Sequence, residues 1–170
     1  MKILHVITSL HTGGAEKLMV DLLPLMKSEG HEVELLVFDG TPTPFMQQIS
    51  DNGITIHSLS IGGNVYNPIN IIRLTRFIRK YDIIHTHNTA CQLFTPIAKV
   101  FTLGGAKLVT TEHNTTNRRR DKWYFKPLDR WMYKQYAGII AISEKASILL
   151  KEYINPKNLL TINNGIKVKQ

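Results

Sequence analysis

The sequence predicts an α/β fold: a doubly wound parallel sheet of about seven strands with helices on both faces. Three observations predict it. Short runs rich in Ile, Val and Leu recur along the chain. They are apolar at consecutive positions, as suits strands covered on both sides. Longer segments with helical periodicity lie between them, and repeated strand–helix–strand order implies a parallel sheet. The 170 residues, 43% apolar, make one domain over 1–170. Such a chain buries a core without disulfide or metal staples.

Lys2–Ile7 is the first strand. Ala15, Leu18, Met19, Leu22, Leu23 and Met26 then form one apolar helical face. Pro24 is a potential kink in that helix, and Gly30 sits at a C-terminal left-handed position. Glu32–Phe38 and Ile54–Leu59 read as the next strands. Asn67 and Pro68 read as a cap and first position of a second helix. Ile71, Leu74, Phe77 and Ile78 face inward on it, and Arg73, Arg76 and Lys80 outward. Asp82–Thr86, Ala106–Thr111, Gly138–Ser143 and Leu159–Ile162 supply four more strands. Further helices fall in 89–103, 122–136 and 144–153, with Pro96 and Pro127 disturbing the first two. There is no internal repeat, low-complexity tract or interdomain linker.

Composition excludes some classes. The apolar content is too high for disorder, and no apolar stretch approaches the ~20 residues of a membrane span. Residues 3–10 are interrupted by His5, Thr8 and Ser9, so they read as a strand rather than a signal peptide. The single Cys91 cannot form an internal disulfide, which fits a cytoplasmic setting. The formal charge of +8 admits nucleic acid, an anionic membrane face or a phosphorylated substrate.

In doubly wound sheets ligands bind beyond the carboxyl ends of the strands. The loops after the strands therefore carry the chemistry. Ser9–Glu16 holds Gly13 and Gly14 between a strand and a helix, where backbone N–H groups attract an anion. A tight turn that simply needs glycine is the alternative. Neither GxGxxG nor GxxxxGK[ST] occurs. His85 and His87 share one face at a strand end. With His113 they offer a possible zinc set, or they hydrogen-bond neighbouring loops or a ligand. Thr110–Asn114 is a polar cluster after the fifth strand. There His113 is placed to donate a hydrogen bond or shuttle a proton, and Glu112 to orient it or to sit solvated.

Residues 118–134 hold seven basic and two acidic side chains, net +5 of the total, with Trp123 and Trp131. Basic and aromatic residues together suit an anionic lipid surface or single-stranded nucleic acid. A helix packing its aromatics on the sheet is the alternative, most clearly from Trp131 onward. Arg118, Arg119, Arg120 and Lys122 follow the polar loop and form a basic patch beside it.

Taken in order, the landmarks resemble the N-terminal, acceptor-side half of a GT-B glycosyltransferase of the retaining GT4 family. They are GGAE at 13–16, EGHEV at 29–33, DIIHTHN at 82–88, TEHN at 111–114, AISEKA at 141–146 and INNGI at 162–166. The resemblance spans nearly the whole chain. It implies a Rossmann-like domain facing a C-terminal, donor-binding domain across a cleft. It implies a nucleotide-sugar donor as substrate, no metal and no other cofactor. Gly13 and Gly14 would approach donor phosphates or acceptor, and His113 would act as the catalytic histidine near the transferred sugar. His87, Glu112, Asn114 and Ser143 would be substrate-binding. The family's acidic residue after NGI is Lys167 here, and the donor domain with its paired glutamates is absent. The chain is therefore expected to be a piece of a longer enzyme or one half of a two-chain enzyme, inactive alone. The basic patch points to a lipid-linked or other glycan acceptor at the inner membrane face. A non-catalytic, membrane-docking or acceptor-presenting subunit is the alternative. Nucleic acid is set aside, because strand-end polar loops gain nothing from that role.

Overall fold

The computed structural model describes residues 1–103, 105–113 and 122–163. The chain runs β1 (Lys2–Ile7), α1 (Gly14–Ser28), β2 (Glu32–Asp39), α2 (Pro44–Asp51) and β3 (Thr55–Ser60). Next come α3 (Ile69–Ile78), β4 (Ile83–His87), α4 (Thr89–Phe101) and β5 (Lys107–Glu112). A 3-10 turn (Trp123–Phe125) leads into α5 (Lys126–Lys134), β6 (Gly138–Ala141), α6 (Glu144–Ile154) and β7 (Leu159–Thr161). All seven expected strands form. They pair in parallel in the order β3-β2-β1-β4-β5-β6-β7.

The order reverses between β1 and β4. β1–α1–β2–α2–β3 winds one way; everything after β3 winds the other. Right-handed crossovers then put α1 and α2 on one face and α3 to α6 on the other. Two separate cores follow. Met19, Leu23 and Ile49 pack on Ile7, Leu35 and Val37. Leu74, Ile78, Phe94, Met132 and Leu150 pack on Leu4, Val6, Ile84 and Leu108. Odd and even residues of β1 thus serve different cores, as strand alternation requires.

Several local expectations change. The expected sequence pattern contains no helix between the second and third strands, yet α2 forms there. Thr43 caps it by accepting from Met46 N at 3.2 Å, and Pro44 opens its first turn. Only Ile49 of α2 is buried, so its apolar period is too short to read from sequence. Pro24 and Pro96 lie inside α1 and α4 without ending them. Pro127 opens α5 instead. Arg73 is half-buried rather than outward, donating to the Leu59 carbonyl at 2.7 Å. Trp131 packs against the core and Tyr133 is buried, as the helix reading of that stretch expected.

Gly105 is the position where glycine is required. Its φ is +106°, and a Cβ would lie 2.5 Å from the Ile78 carbonyl oxygen. That carbonyl also accepts from Ala106 N, so it cannot move away freely. Gly105→Ala is expected to lower stability by about 2 kcal/mol or more, read as a reduced urea midpoint with an unchanged slope.

Candidate functional site

The sheet reverses its winding between β1 and β4, and in such sheets ligands bind beyond the strands' carboxyl ends at that point, the candidate crevice here. Side chains tie its walls together. Asn88 Nδ2 donates to Thr8 Oγ1 at 2.9 Å, joining the loops after β4 and β1. Asn88 holds φ 70° and ψ 151°, a region that costs a non-glycine residue roughly 1–3 kcal/mol and recurs at functional sites. Asp39, at the end of β2, accepts from Thr41 N and Oγ1 and from Gly62 N. These bonds hold its carboxyl below the usual range, the Thr41 hydroxyl foremost, against the opposing effect of burial. Sequence reading missed Thr8, Asn88 and Asp39, whose roles depend on loops far apart in the chain.

Gly13 and Gly14 open α1. Neither has a positive φ, so turn geometry does not demand glycine at either. A Cβ on Gly13 would overlap the Glu16 carboxylate, and a Cβ on Gly14 would meet open space. Gly13 caps the helix with no side-chain bond. Gly13 itself gives the first turn of α1 no side-chain acceptor, and the Glu16 carboxylate lying against it is a negative charge that an incoming anion would have to displace.

A chain of histidines runs along the switch point. His5 and His85 are direct partners in the β1–β4 register, and His87 lies two residues on along the same face. His5 Nδ1 is 3.1 Å from His87 Nε2, and His87 Nδ1 is 3.0 Å from His113 Nε2. His85 Nε2 lies 2.7 Å from Thr111 Oγ1. Burial pushes His5 down to about 4. Burial, then the neighbouring imidazoles, holds His85 and His87 well below the usual histidine value. His113 is half-buried at the strand end; burial lowers it too, against the opposite pull of Glu112. His87 is fully buried. It stands behind His113, to which it is bonded, rather than exposed at the strand end where the resemblance would place it.

His5, His85 and His87 each present a ring nitrogen within 4.8 Å of the others. Sequence had suggested His85, His87 and His113 as a possible zinc set; the compact trio exchanges His113 for His5. His5 and His87 already bond each other and His85 bonds Thr111, so a metal drawing on those nitrogens would displace these bonds.

Glu112 is neither solvated nor facing His113's side of the sheet. It is buried on the α4 and α5 side, where Oε1 accepts from Gln92 Nε2 at 2.8 Å and from the Tyr133 hydroxyl. Ser143 caps α6, its Oγ accepting from Ala146 N at 3.2 Å; this leaves its hydroxyl proton for another acceptor. Asn114, Arg118, Arg119 and Arg120 lie outside the described residues. Lys122 is exposed, with Nζ 5.9 Å from the Tyr124 ring centre. Trp123 beside it is 85% exposed. A cavity of about 590 Å³ lined by Arg130, Lys134, Asn155 and Lys157 lies where α5 and α6 lead into β6 and β7. That is the amino edge of the sheet, away from the histidine chain. Fold topology favours the carboxyl edge as the site.

These features define a Rossmann-like domain of the GT-B glycosyltransferase type. Residues 12–170 match the family model described as Glycosyltransferase Family 4, and the chain belongs to that family. Among solved structures it resembles Anabaena Alr3699/HepE, crystallised with UDP and glucose. The TM-score is 0.76 at 16% identity, over 98% of this chain and 45% of that one. It also resembles a glycosyltransferase from Rickettsia africae, with TM-score 0.76 at 22% identity, over 97% and 43%. Acinetobacter baumannii MurG matches with TM-score 0.61 at 14% identity, over 99% and 47%. The chain spans under half the length of these structures. No curated protein sequence matches it.

Protonation of the buried histidines links stability to pH. The folded value of His5 lies below its ordinary 6.5, so the unfolded chain takes up the proton first. Its contribution is complete above pH 6.5, declines as pH falls below that, and is lost by about pH 4. His5 alone accounts for about 3 kcal/mol of this loss, and His85 and His87 add to it with the same sign. Urea denaturation between pH 7 and pH 4.5 is expected to show this decline, and His5→Leu to flatten it.

Proposed function

We propose that this chain is the acceptor-side domain of a retaining glycosyltransferase. The enzyme moves a sugar from a nucleotide-sugar to a glycan or lipid-linked acceptor. The observation that carries the reading is His113 at the end of β5, held at the switch-point crevice by neutral histidines behind it. Family membership and neighbours crystallised with UDP or UDP-glucose support the donor class.

In this reading Gly13 and Gly14 at the N-terminus of α1 approach the donor phosphates or the acceptor once the Glu16 carboxylate swings aside. His113 hydrogen-bonds the transferred sugar or the departing oxygen. Asn114 and the free hydroxyl proton of Ser143 add polar contacts, and Glu112 braces the loop through Gln92 and Tyr133. No metal takes part; leaving-group charge meets backbone N–H donors and basic side chains. A C-terminal donor-binding domain, in the same or a partner chain, completes the cleft. Purified alone, the chain is expected to transfer no sugar from UDP-glucose to any of a panel of glycan acceptors. With the donor-binding domain restored, transfer is expected to survive EDTA and to fall by two orders of magnitude or more in His113→Ala. Full activity of that variant would refute the role given to His113.

The domain works as a peripheral protein at the inner, cytoplasmic membrane face. Among the described residues no helix is long and apolar enough to cross a membrane. Exposed Trp123 and Tyr124 beside Lys122 combine aromatic and basic groups suited to anionic headgroups. This patch also favours the alternative of a non-catalytic docking subunit, which the transfer assay separates from the enzyme. Binding to anionic vesicles is expected to drop roughly a hundredfold when Arg118, Arg119 and Arg120 all become alanine, at about 1 kcal/mol per charge. It should weaken further with Trp123→Ala. Equal binding by all variants would remove the membrane claim.

A further inference from the structure

We infer that His5 and His87 are positioning residues. Together they fix the tautomer of His113, so that it presents its Nδ1–H as a neutral donor to the crevice. The inference rests on the functional reading above only for what that donor meets; the hydrogen-bond argument stands by itself.

A neutral imidazole carries one N–H and one bare nitrogen. The contacts His5 Nδ1–His87 Nε2 and His87 Nδ1–His113 Nε2 each need one proton between two nitrogens. With all three rings neutral, only two arrangements satisfy both contacts. In one, every ring is protonated at Nδ1: His5 donates to His87, His87 donates to His113, and His113 has its own Nδ1–H left over. In the other, every ring is protonated at Nε2, and the leftover nitrogen of His113 is an acceptor. The rings cannot choose separately, because a mixed state leaves two N–H groups or two lone pairs face to face.

The buried end breaks the tie. His5 is fully buried, and its Nε2 has no hydrogen-bond partner among the described residues. The second arrangement would strand an N–H there with no acceptor, a rare and costly state. The first leaves only a bare lone pair. The wire also lacks a proton source at His5. If His113 gave up its Nδ1 proton and drew a replacement through His87, His5 would end as an anion in an apolar core. The chain therefore holds a polarity and does not conduct protons. Protonating His113 at Nε2 would likewise force both rings behind it to reverse.

His85 is an internal control. Its ring centre lies 4.9 Å from that of His5 and 4.4 Å from that of His87. Yet it bonds Thr111 and stands outside the wire.

The test is imidazole ¹⁵N NMR of the purified chain near pH 7.5, with no ligand needed. In the unaltered protein, His113 is expected as a single Nδ1–H tautomer. His5→Leu keeps the core apolar but removes the donor; His113 should then become a mixture of both tautomers. His5→Asn puts an amide N–H near the lost Nδ1 and should restore the single form. His85→Gln should change nothing at His113. Dispersed backbone amide spectra establish folding of each variant, and His87→Asn provides a second break point should His5→Leu not fold. An Nε2–H tautomer in the unaltered protein, or an unchanged His113 in His5→Leu, overturns the inference. Adding UDP-glucose and then acceptor glycans tests the functional reading separately. With the donor-binding domain restored, tautomer control without any ligand response at His113 would sink that reading and leave this one standing.

Discussion

Four histidines cannot be taken out of water in charged form at tolerable cost, and the local structure follows from that constraint. A buried imidazole stays neutral, and each of its nitrogens then needs a partner or is left bare. β1 and β4 meet this need by pairing side by side across 80 residues of chain, with His5 opposite His85. The rings bond one another along the seam, and the last of them, His113, emerges at the carboxyl edge. The same seam is where the sheet reverses its winding. The carboxyl edge that topology singles out and the polar chain that runs up to it thus meet at one place.

Strand alternation divides the labour on β5. His113 continues the Thr111 face, toward the histidines. Glu112 faces the other way and gathers Gln92 of α4 and Tyr133 of α5. Two adjacent residues that look like a catalytic pair in sequence therefore serve opposite faces of the sheet. One reaches toward the crevice and the other anchors the helices behind it. The basic aromatic stretch divides similarly. Met132 and Tyr133 enter the core, while Trp123, Tyr124 and Lys122 stay in solvent.

The inner strands were the most legible elements, because burial on both faces writes a continuous apolar run; β3 and β7, at the sheet edges, have no buried residue. The helix α2 was not legible, since one buried residue leaves no period. Within the site, Gly13, Gly14 and His113 could be singled out from residue type and loop position. His5 could not. A histidine inside an apolar strand reads as an ordinary core residue until its partner strand is known. Asn88 was equally hidden, because its unusual backbone angles arise from closing β4 onto α4 while holding Thr8.

By itself the sequence determined the parallel α/β class and, through the order of its motifs, pointed to the family to which the chain belongs. Those depend on patterns local to each segment and on the order in which they occur. Tertiary structure alone decided which polar groups share a network, which of them touch solvent, and that Glu112 and His113 part company. Such pairings depend on strand order and register, which bring together residues such as His5 and His87 that lie 82 positions apart. No local pattern encodes that distance, because burial and hydrogen bonding act only once the sheet has closed.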